Sequence, residues 1–307
     1  MVDAEVRQNA FLWLREQAVR SDYVIPRTTL TTGFEIAGTT VTLVGPTGIW
    51  KPRVCDLPLS IASVSSGPYD DSFTDDGLLH YRYRGNDPNH RDNTGLRELM
   101  RTRTPLIYFH GVMPGKYVPV WPVFIVDDMP EQLACRVAVD PAYAMPGIVA
   151  TELSSLPLEE APFADDSSVG VRRYVATFTM RRLHQTSFRE RVIAAYAHTC
   201  ILCRLQHASL LDAAHIIPDT APGGEPVVNN GLCLCKIHHA AYDQNILGIT
   251  PDYHVHVRQD ILAETDGPML RHGLQEVNGQ KIVLPAHRRD YPDPDRLDRR
   301  FSEFRSA

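Results

Sequence analysis

Thiols and imidazoles that can bind a metal ion lie close together in one short stretch of the C-terminal third of the chain. Cys200 and Cys203 are separated by two residues, and Cys235 and His238 repeat that spacing further along. Two such pairs of thiolate and imidazole ligands are typical of a tetrahedral structural zinc site. The sequence therefore predicts a Zn²⁺ ion held by these four side chains. Cys233 is the alternative to Cys235, because alternate residues of a strand lie on one face.

Two further histidines and a carboxylate near these thiols suit the hydrolysis of a phosphodiester. A helix beginning near Lys236 places His239 and Asp243 one turn apart on one face, and His215 lies on a strand-like segment before it. A neutral imidazole can act as a general base near pH 7. Nitrogen and oxygen ligands can hold a divalent cation, Mg²⁺ or Mn²⁺, Co²⁺ or Ni²⁺, which stabilises the leaving oxygen. A catalytic cation is therefore expected beside the structural zinc.

Residues from about 185 to 258 resemble an HNH nuclease of the ββα-metal class. The motifs that carry the resemblance are AAHIIP at residues 213–218 and NGLCLCKIHHAAYD at residues 230–243. The resemblance implies that His215 is the general base. It further implies that Asn230 orients the loop that bears this base, and that His239 binds the catalytic cation.

One position departs from the HNH pattern. Many HNH enzymes have a metal-binding Asp or His immediately before the general base, and this chain has Ala214 there. The second ligand of the cation is therefore open between two carboxylates. Asp243 is preferred to Asp212, because its helical spacing places it beside His239.

A second informative segment lies near the N-terminus, where aromatic, acidic and basic residues alternate over residues 67–85. Tyrosine rings can sandwich a base that is flipped out of a duplex, and a carboxylate can accept a hydrogen bond from its edge. Arg82 and Arg84 are expected on the opposite face of a strand from Tyr83, where they can contact phosphates. This segment, within residues of about 20–140, resembles the SRA (or YDG) domain of the PUA-like superfamily. The resemblance implies a modified-base pocket formed by Tyr69, Asp71 and Tyr83, in which Asp70 is the alternative carboxylate to the preferred Asp71.

The periodicity of the chain predicts an α+β protein that begins with a curved sheet or half-barrel, and the HNH resemblance implies that a zinc-stapled ββα-metal domain follows it. We expect a reader domain at residues 1–140, a linker rich in Pro, Ser and acid at 141–170, and the nuclease domain at 171–307. In the first domain a helix is expected at 4–20, a hairpin around Gly38, strands at 57–64, 78–84, 104–112, 118–126 and 133–139, and a helix at 95–103 capped by Asn93 or Thr94. In the second, strands are expected at 171–180, 253–258 and 282–285, and helices at 187–196 and 296–304, the last of them basic and amphipathic.

The composition bounds the class of protein. The 307 residues carry a net charge of −6, with 43% hydrophobic and 22% charged residues, which is typical of a globular protein with room for two cores. No signal-peptide pattern or membrane-spanning apolar run is present, so we expect a cytoplasmic protein with no membrane partner. The isolated Cys55 and Cys135 are expected to be inert core residues.

The two resemblances together imply a modification-dependent restriction endonuclease that binds double-stranded modified DNA. An HNH cleft discriminates little between sequences, so a pocket for an unusual base, 5-methylcytosine or 5-hydroxymethylcytosine, would supply the discrimination. Cutting both strands needs two active sites, so a homodimer is expected. Two alternatives stay open: an HNH endonuclease directed to phosphorothioate DNA, and a non-catalytic zinc-containing protein that only binds modified DNA.

Overall fold

The computed structural model of the chain describes residues 2–63, 78–139 and 168–306. They fall into two compact units, Met1–Leu183 and His184–Ala307. The expected linker at 141–170 and the pocket residues Tyr69 and Asp71 lie almost entirely outside the described residues. None of the described helices is long and apolar enough to cross a membrane.

The first unit is built on a mixed sheet with helices packed on both faces. Its helices are α1 (Asp3–Arg20), α2 (Arg27–Thr32) and α3 (Arg91–Thr102). Its strands are β1 (Ile25–Pro26), β2 (Phe34–Ile36), β3 (Thr39–Val41), β4 (Ile49–Trp50), β5 (Ser60–Ala62), β6 (Leu79–Arg82), β7 (Leu106–Met113), β8 (Lys116–Met129) and β9 (Ala134–Val139). The expected hairpin around Gly38 is present as β2 and β3.

The sheet has the strand order β4-β5-β7-β8-β9-β6, and β1 adds to one end of β8. Only β5 and β7 run parallel within this sheet; its other described pairs are antiparallel. The long strand β8 pairs with β7 through its first half and with β9 through its second, with a bulge between Ile125 and Asp127. Because bulges bend a strand and increase its twist, the sheet curls into the half-barrel that the sequence predicted.

The alternation of side chains along β7 explains the two cores of this unit. Leu106 and Tyr108 face the core beneath α3, whereas Ile107 and Phe109 face the core beneath α1. Such a period of two is expected when both faces of a strand are buried. On its side, α1 buries one narrow stripe at every fourth residue, formed by Val6, Ala10, Leu14 and Ala18.

Helix α3 begins earlier than predicted, and its N-cap is not Asn93 or Thr94. The helix begins at Arg91, and the ring of His90 accepts the backbone N–H of Asp92 at 3.2 Å. Asn93 is fully buried and its side chain bonds instead to the backbone N–H and carbonyl of Arg84. The amide of Asn93 therefore fixes the chain just after β6, which is a tertiary role that local spacing does not predict.

The second unit contains a β-hairpin followed at once by a helix. Its described elements, with helix α4 leading into it, are α4 (Ser168–Ala195), β10 (Leu211–His215), β11 (Gly231–Cys235), α5 (Lys236–Asp243), β12 (Leu247–Ile249), β13 (Val255–Val257), α6 (Gln259–Ala263), α7 (Pro268–Gly273) and α8 (Pro294–Ser306). Antiparallel β10 and β11 with α5 form the ββα unit that the sequence predicted.

Two predicted strands of this half are wrong. Residues 171–180 belong to the continuous helix α4, although Val, Tyr and Thr residues favour strands, because propensity is a weak prior that longer-range context overrides. Residues 282–285 form no strand, since Ile282 and Val283 donate single backbone bonds to two different segments, and the neighbouring Lys281 makes only an isolated bridge to His254.

Candidate functional site

The predicted zinc ligands come together in the second unit. Sγ of Cys200, Cys203 and Cys235 and a ring nitrogen of His238 all lie within 4.8 Å of one another. Nδ1 of His238 is 3.5 Å from Sγ of Cys200 and 3.2 Å from Sγ of Cys235. Ligand atoms of a tetrahedral zinc site lie about 3.5 to 3.8 Å apart, given Zn–S and Zn–N bonds of about 2.3 and 2.0 Å. The cluster therefore has the donor set and the spacing that Zn²⁺ requires.

A hydrogen bond to the ring of His238 orients it for binding a metal ion. Nε2 lies 2.6 Å from the backbone carbonyl of Gly273 at the end of α7, so Nε2 carries the proton and donates it. This leaves the lone pair of Nδ1 directed at the thiols, which is how outer partners orient a histidine ligand. The Cys233 thiol lies outside the cluster and is fully buried. Burial raises its pKa to about 12, which suits an inert core thiol.

His215 ends strand β10, opposite Gly231 on β11. The ring of Phe188 on α4 stacks on the imidazole, with centroids 3.9 Å apart and planes at 16°. A Cβ atom on Gly231 would lie 2.4 Å from Val192 and 2.9 Å from Phe188. The glycine of the second motif therefore lets α4 approach closely enough for Phe188 to cover the imidazole.

Burial defines the protonation of His215. Desolvation lowers its pKa below 6.5, and His239 lowers it further, while the charges of Asp219 and Asp243 act in the opposite direction. Nε2 is buried, and no described residue bonds to it. A ring that stays neutral at pH 7 has the protonation that a general base needs.

Asn230 holds the loop that follows His215. The residue is fully buried; its side-chain oxygen accepts the N–H of Ile217, and its amide donates to the carbonyls of Ile217 and Glu225, all at 2.9 to 3.1 Å. Its own carbonyl accepts the N–H of Ile216 at 2.9 Å. Asn230 thus fixes both ends of the loop between β10 and β11.

His239 lies on α5 between the two carboxylates that the sequence offers as the second cation ligand. Nδ1 is 3.1 Å from the carboxylate of Asp212 on β10, and Nε2 is 3.4 Å from that of Asp243 one helical turn away. The hydrogen bond with Asp212 raises the pKa of His239. Burial alone would raise the pKa of Asp212, but His239 and the guanidinium of Arg189, 3.5 Å away, lower it overall. The structure therefore brings both candidates to the same imidazole, one at each nitrogen.

The basic C-terminal helix α8 is fastened to this loop and helix. Arg296 pairs with Glu225 at 2.6 Å, and Arg299 donates to the carbonyl of Pro222 at 2.8 Å. Arg300 donates to the carbonyl of Tyr242 at 2.7 Å and lies over its ring. These guanidinium groups are therefore used within the protein to hold the ββα unit.

Residues 200–250 match the model of the HNH endonuclease family. The chain contains an HNH endonuclease domain. The resemblance predicted from the two motifs is confirmed, and with it the class of enzyme, since this is a family of phosphodiester hydrolases that act with a divalent metal ion. The matched residues include the cysteine and histidine cluster, His215, Asn230 and His239.

Among the solved structures that match this chain, two have descriptions related to such an enzyme. The modification dependent TagI restriction endonuclease is 17% identical, with 80% of this chain and 81% of that chain covered and a TM-score of 0.29. The type IV phosphorothioation-dependent restriction endonuclease ScoMcrA is 20% identical, with 59% and 52% covered and a TM-score of 0.20. No curated protein matches the chain.

One residue that the sequence predicts for a base pocket, Tyr83, lies within the described part of the first unit. Tyr83 directly follows β6 and is 7% exposed, and its hydroxyl donates to the carboxylate of Asp128, which also accepts Arg97 at 2.7 Å. Arg82 and Arg84 are exposed, as predicted from the alternation, and Arg84 pairs with Asp92 at 2.6 Å. Tyr83 is thus packed into the core and not presented at the surface of the described residues.

Sequence reasoning missed two residues of the HNH domain. The predicted helix at 187–196 gives no role to Phe188 or Arg189. In the structure Phe188 covers His215, and Arg189 neutralises Asp212. Both lie more than twenty residues before the first motif residue that they touch. The one sequence signal was Gly231, because a glycine within a strand often marks a close approach of another element.

Proposed function

We propose that this chain is a modified-DNA-dependent endonuclease whose HNH domain hydrolyses phosphodiester bonds at a single catalytic cation. The observation that carries the proposal is the placement of a neutral, covered His215 on β10 and a carboxylate-flanked His239 on α5, both within one ββα unit. A zinc module that only bound DNA would have no use for this arrangement of base and cation ligands.

In the proposed reaction, His215 removes a proton from a water molecule. Because Nε2 is buried, Nδ1 is the nitrogen that takes the proton. The water oxygen forms a bond to phosphorus, the bond from phosphorus to the leaving sugar oxygen breaks, and that oxygen takes a proton from solvent. A divalent cation supplies charge neutralisation at the leaving oxygen when bound. Asn230 keeps the His215 loop in one shape through these steps.

The contacts of His239 suggest which carboxylate is the cation ligand. Asp212 occupies Nδ1, so Nε2 is the nitrogen free to bind a metal ion, and the oxygen of Asp243 lies 3.4 Å from it. Neighbouring ligands on one cation are about 3.0 to 3.5 Å apart, given bonds of about 2.1 Å. We therefore assign Asp243 as ligand with His239, and Asp212 as the residue that orients the His239 ring.

The two carboxylates should respond differently to substitution. We expect Asp243→Ala to raise the Mn²⁺ concentration needed for half-maximal cleavage by more than about tenfold. Asp212→Asn should change it only a few-fold, because the amide oxygen still accepts the Nδ1 proton, whereas Asp212→Ala should lose about 10- to 100-fold. Bound Mn²⁺ is measured directly by electron paramagnetic resonance alongside cleavage.

A matched control for this series is Asp252→Asn, which removes a carboxylate bonded to another histidine, His254, at 2.9 Å. That variant should keep the cation dependence of the parent protein. Equal losses in Asp212→Asn and Asp243→Asn, or an unchanged dependence in Asp243→Ala, would contradict the assignment.

For the first unit we propose an SRA-like reader, in which Tyr69, Asp71 and Tyr83 form the pocket for a flipped base and Arg82 and Arg84 contact the backbone. The ring of Tyr83, which is 7% exposed, would be uncovered when the base enters. The support is the curled sheet with exposed arginines on one face of β6 and its continuation and tyrosines on the other. The bond from Tyr83 to Asp128 holds its ring in one orientation. The structural zinc holds the HNH scaffold, and two copies of the chain would cut the two strands.

Cleavage of a matched set of duplexes tests the proposed function. We expect DNA containing 5-methylcytosine or 5-hydroxymethylcytosine to be cut at least about tenfold faster than the same unmodified sequence, with Mg²⁺, Mn²⁺, Co²⁺ or Ni²⁺ supplied in turn. The readout is the initial rate of each duplex at equal concentration. Equal rates on plain DNA would contradict the modification dependence.

Two alternatives are separated by the same experiment. Preferential cutting of phosphorothioate DNA would assign the reader to a sulfur-containing backbone, which the description of ScoMcrA makes a necessary arm of the panel. Tight binding of a modified duplex without cleavage under any cation would assign the chain as a DNA-binding protein without catalysis.

A further inference from the structure

We propose that a short basic turn, formed by His287, Arg288 and Arg289, is a binding site for the DNA phosphate backbone beside the HNH centre. The proposal deepens the proposed function, on which it rests for the identity of the ligand. It concerns the segment after residue 260, whose role the sequence motifs do not explain.

The position of the basic turn is set by its contacts with the HNH loop. The 3₁₀ turn Arg288–Asp290 packs against the 3₁₀ turn Val228–Asn230, and the N–H of Asp293 donates to the carbonyl of Asn229 at 2.9 Å. Because Asn230 fixes the loop after His215, the basic turn lies next to the part of the scaffold that carries the proposed base.

The side chains of the basic turn are directed to solvent. His287, Arg288 and Arg289 are all exposed, and the Arg289 side chain is 83% exposed. Arg289 forms an ion pair with Asp290 at 3.8 Å, and a pair this long with an exposed guanidinium contributes little. Among the described residues, no ion pair is formed by Arg288.

The arginines of α8, a few residues further along, are instead bonded to groups within the protein. Arg296, Arg299 and Arg300 are bonded to loop carbonyls and side chains of the ββα unit. The same C-terminal segment thus has one group of arginines that holds the domain together, and another, Arg288 and Arg289, whose one ion pair is the long contact of Arg289 with Asp290. The second group is the one available to a ligand.

The ligand that fits this turn is a run of phosphates. A chain with a net charge of −6 repels DNA overall, so its cleft needs local cations where the backbone passes. Guanidinium groups bind phosphate oxygens in a bidentate manner. Such contacts position the duplex without reading its sequence.

The test measures binding of unmodified duplex DNA by the full chain, by fluorescence anisotropy between about 50 and 200 mM salt without added divalent cation. In the double variant Arg288→Gln/Arg289→Gln we expect the slope of log K against log salt to fall by about two, because each guanidinium that is removed leaves one phosphate without its cation. The loss should be equal for plain and modified duplexes.

The control removes the same charge elsewhere in the unit. Arg271→Gln/Arg305→Gln changes two exposed arginines on α7 and α8 and should leave the slope within about half a unit of the parent value. Thermal unfolding of both variants checks folding. If the double variant of the basic turn unfolds at a lower temperature than the parent protein, the single variant Arg289→Gln is used in its place, because the Arg289 side chain makes no buried contact. Its expected change in the slope of log K against log salt is about one.

An unchanged slope in a folded variant would overturn the proposal. A loss of cleavage with unchanged slope would also overturn it, since the turn would then act by supporting Asn230. Binding of plain DNA needs no cleavage and no modified base. The salt dependence would therefore still test the basic turn if the proposed function proved wrong.

Discussion

Replacing His215 with alanine is expected to abolish cleavage, with a loss of at least about 100-fold and up to about 10⁴-fold, which is the range for removal of a general base. The physical reason is that the covered, neutral imidazole is the proposed base, and His239, which is held between two carboxylates, cannot replace it. The rate of cleavage of the preferred duplex measures it. DNA affinity should stay within a few-fold.

Two further measurements make this result specific. His254→Ala removes a surface imidazole of the same unit and should retain full activity. In the parent protein at saturating cation, the fraction of neutral His215 falls as the pH drops through its lowered pKa, so the rate should decline on the acidic side of the ordinary histidine range. Substantial cleavage by His215→Ala would remove His215 as the base and leave the HNH domain to act by another group.

Removal of the proposed structural zinc should have the largest effect on stability. The cluster joins the segment after α4 to the end of β11 and the first turn of α5, and His238 reaches α7 through Gly273. Structural zinc binding contributes about 10 kcal/mol or more in small zinc modules. We expect a strong chelator to remove one zinc per chain, unfold the HNH unit and end cleavage, as followed by circular dichroism and zinc analysis.

Two neighbouring cysteines of β11 provide the matched pair for this prediction. Cys235→Ser should lose the zinc and lower the unfolding temperature of the unit, because it removes a ligand. Cys233→Ala should keep one zinc per chain and lose only the packing of one buried thiol. A protein purified without zinc, whose unfolding is indifferent to the chelator, would contradict the cluster as a metal site.

Local spacing was sufficient to predict the parts of this molecule whose geometry is local. The pairs of ligands separated by two residues, the step from β11 directly into α5, and the turn between His239 and Asp243 all follow from short-range periodicity. The curled sheet was also predicted from runs of strand-like segments between turns.

What could not be predicted depends on contacts between distant segments. Asn93 looked like a helix cap, but its amide is used at Arg84. The C-terminal helix is basic and amphipathic as predicted, but its sequence does not reveal that Arg296 pairs with Glu225, seventy-one residues earlier. A single sequence gives the charge of a side chain and not the partner that meets it, so such roles need the fold.

The loop between β10 and β11 is fastened from within by Asn230 and from outside by Arg296 and Arg299. A catalytic site held this firmly is already formed before DNA binds. Closure around the substrate would therefore add little control over cleavage. Control over where cleavage occurs must then come from how long the duplex stays bound near the catalytic site. For the proposed enzyme, residence on modified sites would decide where the genome is broken, and the chemistry itself would be nearly indifferent.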